Sequence, residues 1–481
     1  MVPATEGWYN APPPPPAFHW LDVLAEGRFD DVATQLFDFP MAAPLVANRL
    51  SLLDQVTCPH CWNVFAPAES LWVSEHPDLI GDAKLGDIHA VRFLPSRFSP
   101  EGDAIDSEGY RATRLACPNC HLEVPRPLFQ LPAIFYSILG APACGKSYFL
   151  ASMTWQLRQM LPKRFKVTLH DADASANARL HAYEEQQFLN ADPDALVSIA
   201  KTETQGDMYD QVQMGDHSIT LPRPFLFTLQ PTATHPNHAR AKAMSRVICL
   251  YDNAGESFLP GTDSVTSPVT RHLAHSACLF FCFDPTQDPR FRRACEGKSD
   301  DPQMKPRNAR LQREASVRQD TILLEAISRV RRHAGLREDE QHQGPMVIVV
   351  TKWDSWKELL PDVSNAEPYF DRDEHSVRTL DSDRIRETSS AVEALLQEFC
   401  PEIVAAAQGF ARELVFIPVS ATGVSPEVDD ATGSLGIRPC NIHPYWVEVP
   451  LLYALSTWTR GLIGAQYRIP KKQSSTEDTD A

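Results

Sequence analysis

Residues 140–147, GAPACGKS, match the pattern GxxxxGK[ST] at every position and govern the interpretation of the whole chain. An apolar run, AIFYSILG, precedes them and a helix-forming run, SYFLASMTWQLRQML, follows them. A strand, a glycine-rich turn and a helix in this order direct backbone N–H groups at a bound phosphate. Lys146 would then reach the β- and γ-phosphates, and the Ser147 hydroxyl would bind Mg²⁺. The alternative is a glycine turn without a ligand.

Five further apolar runs follow this loop, and long amphipathic stretches separate them. The six runs are 133–140, 224–231, 246–252, 277–284, 346–354 and 414–421. Strands that are apolar along their whole length are buried on both faces, which is typical of a parallel sheet covered by helices. The sequence therefore predicts an α/β fold with helices near 146–160, 308–335, 383–399 and 447–463.

A second motif, Thr351-Lys352-Trp353-Asp354, ends the fifth run and matches [NT]KxD. The carboxylate of Asp354 can accept hydrogen bonds from guanine N1–H and from the exocyclic amine. Adenine presents no such pair of donors and would leave the carboxylate unpaired. The stem of Lys352 can pack over the plane of the base. We therefore expect Thr351, Lys352 and Asp354 to contact guanine.

Two shorter motifs end other runs. Asp252-Asn253-Ala254-Gly255 follows RVICLY and matches DxxG. In this pattern Asp252 holds the Mg²⁺ shell and the N–H of Gly255 senses the γ-phosphate. Ser420-Ala421 follows LVFIPV, where such a turn would support guanine O6. Within the glycine-rich loop and its helix, we add four nucleotide contacts: Gly140, Cys144, Gly145 and Tyr148.

Four cysteines form two matched pairs, CPHC at Cys58–Cys61 and CPNC at Cys117–Cys120. Each pair offers two thiolates from one tight turn, and two such turns complete a tetrahedron around Zn²⁺. The pairs lie farther apart than in a compact ribbon, so we expect an inserted segment near 66–112. The other interpretation is free or redox-active cysteines. His60 and His121 are alternative ligands that we expect to lie beside the metal.

The four motifs GAPACGKS, DNAG, TKWD and SA resemble those of P-loop GTPases of the translation-factor and Ras-like class. The resemblance covers residues 131 to about 463. It implies a doubly wound, mostly parallel sheet, binding of GTP or GDP with Mg²⁺, and switching by GTP hydrolysis. With its cysteine pairs, the chain is also similar to bacterial GTPases that carry an N-terminal zinc ribbon, some of which are linked to biological-conflict systems.

The chain departs from this class in three places, one of which is Pro142 in the glycine-rich loop, where small GTPases often have Gly. Residues 148–251 separate Ser147 from Asp252, which predicts a large insertion in the switch region. We assign Thr202 as the switch threonine and a catalytic residue. Thr204, Thr220 and Thr228 are alternatives for this role, and an equal alternative is that Thr202 is a solvated loop residue without it. Glu256 replaces the water-orienting Gln, so we expect slow hydrolysis unless a partner or second copy supplies an arginine.

The composition and charge of the chain limit its possible partners and location. A net charge of −17 over 481 residues disfavours general nucleic-acid binding and favours a protein effector or self-association. No apolar run reaches the roughly 18 residues that span a bilayer. The start lacks the pattern of a secretory signal, so we expect a cytoplasmic protein. We divide the chain into four parts: a proline-rich and helical start (1–57), the zinc-ribbon-like lobe (58–127), the GTPase domain (128–465) and a disordered tail (466–481).

Three alternatives remain at this point. An ATPase or kinase would show no preference for guanine. A scaffold that binds nucleotide without hydrolysing it would fit the replacement at Glu256, and a nucleic-acid-binding ribbon with a GTPase motor would show steep salt dependence. Residues 289–337 contain many arginines, including Arg290 and Arg329. Interleaved acids favour a solvated helix face there over a phosphate dock.

Overall fold

The computed structural model describes residues 52–199, 208–253, 255–259, 271–304, 318–363, 366–370, 377–429, 433–458 and 461–466. The chain divides into two compact units, and the described residues fall in the second, Leu52–Ala481. The proline-rich start, Thr202, Thr204 and the predicted tail beyond residue 466 lie outside the described residues.

The first part of the described chain, residues 52–131, forms a lobe of short strands that we call the cysteine lobe. Its strands are β1 (Val56–Thr57), β2 (Val64–Phe65), β3 (Leu71–Val73), β4 (Ile80–Asp82), β5 (Gly86–Ala90), β6 (Arg92–Phe93), β7 (Ala104–Ile105), β8 (Arg111–Ala112) and β9 (Leu115–Ala116). Strands this short bury little apolar surface, so the lobe needs another source of stability.

The later strands belong mainly to one large sheet. They are β10 (Ala133–Gly140), β11 (Val167–Asp171), β12 (Tyr209–Met214), β13 (His217–Pro222), β14 (Phe225–Pro231), β15 (Arg246–Asp252), β16 (Cys278–Phe283), β17 (Met346–Val350), β18 (Tyr369–Phe370), β19 (Thr379–Asp381), β20 (Leu414–Pro418), β21 (Glu427–Val428), β22 (Leu435–Gly436) and β23 (Gly464–Gln466). Within the described residues, seven strands join in the order β11-β14-β15-β10-β16-β17-β20. The five strands from β15 to β20 are parallel, and β14 is antiparallel to both of its neighbours.

Helices cover both faces of the sheet. The α-helices that the structure describes are α1 (Lys146–Met160), α2 (Ala178–Phe188), α3 (Ala241–Met244), α4 (Pro289–Ala294), α5 (Gln319–Ala334), α6 (Trp353–Trp356), α7 (Ser382–Phe399), α8 (Pro401–Phe410) and α9 (Val449–Trp458). Helices α1, α2 and α9 pack on the face that bears Tyr136 and Ile138. Helices α5, α7 and α8 pack on the opposite face, which bears Leu139.

The cysteine lobe packs on the same face of the sheet as α5, α7 and α8. It covers β14 and β15, which these helices do not cover. Val56, Phe65 and Leu122 of the lobe pack against Val247 and Cys249 of β15. The lobe therefore takes the place of a helix in the layer architecture, and it touches the strand that leads to Asp252.

All six predicted apolar runs form strands of the large sheet. Every residue of β16 and β17 is buried, as expected for strands covered on both faces. The prediction of a mixed α/β fold with a mostly parallel sheet is therefore confirmed. None of the described helices is both long and apolar enough to cross a bilayer.

Candidate functional site

A cavity of about 330 Å³ opens at the carboxyl ends of the parallel strands. After β10 the chain first builds one side of the sheet and then crosses to the other, so β10 marks the point where the strand order reverses. Open α/β sheets bind ligands at this point, outside the carboxyl ends of their strands. The volume falls within the range of small-molecule sites.

Four chain segments and several separate residues line this cavity. They are Pro142, Ala143, Gly145, Lys146, Ser147, Tyr148 and Phe149; Thr351, Lys352, Asp354 and Ser355; Val419, Ser420, Ala421, Thr422, Val424 and Pro426; Leu435, Gly436 and Ile437; and Ile199, Gly255, Asp301 and Gln303. The glycine-rich loop, TKWD and SA motifs, which are far apart in the sequence, thus contribute to one cavity.

The glycine-rich loop turns directly from β10 into α1. A Cβ on Gly140 would collide with the carbonyl oxygen of Cys282, so no other residue fits there. Gly145 has a φ of 91° and precedes the first residue of α1, a conformation that favours glycine. The start of α1 therefore lies at the cavity, and the N-terminal end of a helix carries a partial positive charge.

Lys146 is folded back over this loop. Its Nζ donates to the carbonyl oxygens of Gly140 at 3.0 Å and Ala141 at 3.1 Å, and the residue is 6% exposed. An ammonium group held by two carbonyls at the cavity wall needs only a rotation of its side chain to reach an anion. Ser147 and Tyr148, the next residues of α1, also line the cavity.

The DNAG segment approaches the glycine-rich loop from β15. Asp252 is the last residue of β15 and is buried, with Ile138 of β10 as its neighbour in register. A Cβ on Gly255 would lie 2.5 Å from the nitrogen of Pro142, so Gly255 packs directly on the loop backbone. Only glycine allows this close approach. The side chain of Glu256 lies outside the described residues.

The TKWD motif fastens the loop to the sheet. Thr351 donates its hydroxyl to the carbonyl oxygen of Cys144 at 2.9 Å. Lys352 forms an ion pair with Asp284 at 2.6 Å and donates to Gln303 at 3.1 Å. Burial by itself would lower the pKa of Lys352, but the carboxylate of Asp284 raises it overall. The lysine is therefore charged and fixed at the cavity wall.

Asp354 presents its carboxylate among hydroxyl groups. Ser420 donates to Oδ1 at 2.5 Å, and Ser355 and Ser425 donate to Oδ2 at 3.2 and 3.4 Å. Burial raises the pKa of Asp354, and the charge of Asp301 raises it further. The hydrogen bond from Ser420 lowers it but does not cancel this effect. The carboxylate is thus oriented, partly desolvated and directed at the cavity.

The sequence motifs did not indicate the outer wall of the cavity. Val197 pairs with Ile437 through two backbone hydrogen bonds of 3.0 and 2.9 Å. The N–H of Ile199 donates to the hydroxyl of Tyr148 at 2.9 Å. Asp301 and Gln303 reach the cavity from the arginine-containing insertion. These residues belong to long insertions without a pattern, so only their fold-dependent proximity reveals them.

The candidate residues of the sequence analysis fall into three groups. The cavity is lined by Gly145, Lys146, Ser147, Tyr148, Gly255 and the TKWD and SA residues that we named. Gly140, Cys144 and Asp252 lie behind it and support the loop and the sheet edge. Thr228 lies inside β14 and Thr220 inside β13, so neither belongs to a loop.

The four motif cysteines come together in the cysteine lobe. All four Sγ atoms lie within 4.8 Å of one another. The Sγ atoms of Cys58 and Cys120 are 3.7 Å apart, as are those of Cys61 and Cys117. Four sulfurs at about 2.3 Å from a tetrahedral Zn²⁺ would be about 3.8 Å apart. The spacing therefore fits a four-coordinate metal.

Both cysteine pairs adopt the same turn. The N–H of His60 donates to Cys58 Sγ at 3.4 Å, and the N–H of Asn119 donates to Cys117 Sγ at 3.3 Å. The residue after each pair, Trp62 or His121, has a positive φ, 58° or 64°. Two copies of one turn, facing each other, are what a closed metal site requires.

The two histidines near the cysteines have partners of their own. His121 Nδ1 lies 2.8 Å from Asp82 Oδ2, and His60 Nε2 lies 3.1 Å from the carbonyl oxygen of Glu123. Among the described residues, the metal-ligand cluster consists of the four cysteines. As expected, the histidines lie beside the cluster.

One arginine departs from the expected solvated face. Arg290 is exposed and pairs with Asp288 and Glu402, as predicted. Arg329 is instead 2% exposed, pairs with Glu325, and donates to the carbonyl oxygen of Ser257 at 2.6 Å. It therefore supports the segment just after DNAG. A helix pattern alone gives no signal for this role because its partner lies in a distant loop.

No family model matches the sequence. A Mycolicibacterium smegmatis protein named as a candidate ESX-1 scaffolding and assembly protein, SaeC, is 26% identical over 246 residues. The match covers 47% of this chain and 57% of that protein. The chain thus spans little more than half the length of this relative.

Two solved structures of Sup35, one with GDP and one with GMPPNP, are also similar to the chain. Both are 11% identical, with TM-scores of 0.21 and 0.20. The matches cover 61% and 60% of this chain and 38% of each Sup35 chain.

Proposed function

We propose that this protein binds GTP and GDP with Mg²⁺ in the cavity and hydrolyses GTP as a switch. The observation that supports this most is the shared cavity of Lys146 and Asp354. Loop N–H groups and the ammonium group suit phosphates, whereas an oriented carboxylate suits a base with two adjacent donors. Guanine has these donors. Adenine offers no such pair of donors to the Asp354 carboxylate, which disfavours an ATPase or kinase.

Mg²⁺ would be held by the hydroxyl of Ser147 and, directly or through water, by the carboxylate of Asp252. Carboxylate and hydroxyl oxygens are ligands that Mg²⁺ accepts together with phosphate oxygens. Gly255, packed on the glycine-rich loop, would sense whether a γ-phosphate is present. The conformation of two segments would then differ between the GTP and GDP states: the one around Thr202, and residues 253–275, which include Gly255.

The cysteine lobe would hold a structural Zn²⁺ through Cys58, Cys61, Cys117 and Cys120. The 3.7 Å separations between sulfurs fit this ion, and the short strands of the lobe need a cross-link. Closed sites of four cysteines stabilise folds and perform no chemistry. We further propose a cytoplasmic location and a protein effector or self-association.

The relative in Mycolicibacterium smegmatis supports a second candidate function. That relative is named as a scaffolding and assembly protein. In this alternative, nucleotide binding would order an interaction surface without turnover. Glu256 is compatible with such a protein because it replaces the Gln that orients the attacking water in Ras-like GTPases, so bound GTP would be hydrolysed slowly.

Phosphate release from GTP separates the two candidates. We expect slow release in the presence of Mg²⁺, with a rate per molecule that rises with protein concentration if a second copy assists. Ser147→Ala should reduce it at least about tenfold, because a Mg²⁺ ligand is lost. The exposed Ser218→Ala is the matched control. If phosphate release is no faster than in protein-free buffer at every protein concentration, hydrolysis is excluded and the non-hydrolysing scaffold remains as the function.

Binding of GDP should weaken as the pH falls. Because the pKa of Asp354 is raised, the ionised form that accepts both guanine hydrogen bonds begins to disappear at a higher pH than for an ordinary aspartate. Affinity is therefore full well above this pKa and falls by up to about tenfold per pH unit below it. Titration calorimetry between roughly pH 8 and pH 5 measures this. Asp354→Asn should lose this dependence; an identical fall in the variant would contradict the assignment.

A further inference from the structure

The cysteine lobe contacts the DNAG segment through three buried aromatic residues. Trp62 follows Cys61 directly, and its Nε1 donates to the hydroxyl of Tyr251 at 3.0 Å. The same hydroxyl donates to the carbonyl oxygen of Pro59 at 2.6 Å. Pro59 lies between the two cysteines of the first pair. The hydroxyl of Tyr251 is thus held from both ends of one metal-binding turn.

Tyr251 transmits this contact to the end of β15. It is fully buried and immediately precedes Asp252, the proposed Mg²⁺ residue. The ring of His272 stacks on the ring of Tyr251, with centroids 4.4 Å apart and an interplanar angle of 10°. A displacement of the cysteine turn therefore displaces Tyr251, and with it both Asp252 and His272, because packed interiors leave no free space for independent movement.

His272 closes the connection on the DNAG segment itself. Its Nε2 lies 2.8 Å from Oδ1 of Asn253, and its Nδ1 lies 2.6 Å from the hydroxyl of Ser137 in β10. Asn253 Nδ2 donates to the carbonyl oxygen of Ile138 at 3.0 Å, which fixes its Oδ1 as the acceptor. His272 therefore ties the beginning of the segment 253–272 to its end and anchors both to the strand that enters the glycine-rich loop.

We propose that Trp62, Tyr251 and His272 couple metal binding in the cysteine lobe to the nucleotide state of the cavity. His272 is a positioning residue for the DNAG segment, and Tyr251 connects it to the lobe. With metal bound, the lobe stabilises the arrangement of the DNAG segment that accepts Mg²⁺ and the γ-phosphate. This inference rests on the proposed function.

Coupling of this kind is reciprocal. If bound Zn²⁺ favours the GTP state over the GDP state, a GTP analogue must raise the affinity for Zn²⁺ by the same factor relative to GDP. Coupling energies between sites correspond to factors on the order of 5–150. The predicted effect is thus visible in metal binding alone, without any measurement of hydrolysis.

The test is competition between the full chain and a chromogenic chelator for Zn²⁺, with Mg²⁺ and either GDP or a non-hydrolysable GTP analogue. We expect Zn²⁺ affinity to be at least about fivefold higher with the analogue. Tyr251→Phe retains the ring stack but removes the hydroxyl, and should reduce the factor to less than about twofold. The matched control is Tyr369→Phe, which removes a hydroxyl that donates to Glu448 at 2.6 Å. Tyr369 lies in the separate three-stranded sheet β18-β19-β23, so this change should leave the factor unchanged.

The outcomes separate this inference from the proposed function. Equal Zn²⁺ affinities in the two nucleotide states, with both nucleotides bound, would overturn the coupling alone. An equal loss in Tyr251→Phe and Tyr369→Phe would overturn the assigned connection. Absence of any nucleotide binding, recorded by calorimetry on the same samples, would overturn the proposed function together with the coupling.

Discussion

Asp354→Asn is expected to lower the affinity for GDP by roughly 10²–10⁴-fold, since two hydrogen bonds to a charged acceptor are lost. The same variant should gain affinity for xanthosine diphosphate. Xanthine carries a carbonyl where guanine carries its amine, and the amide of Asn can donate to it. Titration calorimetry with both nucleotides and Mg²⁺ measures this change of base preference from guanine to xanthine.

The chain offers a matched control for this change. Asp362 is an exposed aspartate that follows TKWD in the sequence, and Asp362→Asn removes one negative charge outside the cavity lining. It should bind GDP as the unaltered protein does. A variant at Asp354 that keeps its GDP affinity, or loses both nucleotides equally while remaining folded, would contradict the assignment of base recognition.

Lys146→Ala is expected to lower the affinity for both GTP and GDP by at least about 10²-fold and to abolish GTP hydrolysis. The ammonium group forms charge-assisted hydrogen bonds to phosphate oxygens, each worth about 1.5–3 kcal/mol. In the structure the same group donates to the carbonyls of Gly140 and Ala141. The measurement is nucleotide binding followed by phosphate release.

Thermal denaturation must accompany this variant, because Lys146 also supports its own loop. Lys357→Ala removes an exposed lysine near TKWD and serves as the control of equal charge. We expect full binding in that protein. If the nucleotide affinity of Lys146→Ala is within threefold of that of the unaltered protein, the loop does not bind phosphate.

The sequence predicted the centre of the fold more fully than its edges. Strands such as β16, CLFFCF, are buried on both faces, so an unbroken apolar run identifies them. The edge strand β11, VTLHD, is only partly buried and has too short an alternating pattern to recognise. Helix α2 lies within the long insertion and was not predicted, whereas α1 has the predicted bounds.

The candidate site divides in the same way. Residues of the motifs, such as Lys146 and Asp354, could be named because a fixed spacing implies a fixed chemistry. The outer wall at Ile199 and Ile437, and the buried supports Arg329 and His272, could not. Their roles depend on which distant segments the fold brings together, and a single sequence does not encode that proximity in any local pattern.

Diffraction from crystals grown with GDP and Mg²⁺ shows directly where the nucleotide binds. We expect the phosphates at the start of α1, within reach of Lys146, and the carboxylate of Asp354 within hydrogen-bond distance of guanine N1 and N2. A nucleotide bound elsewhere, or a base whose N1 and N2 do not contact Asp354, would contradict it.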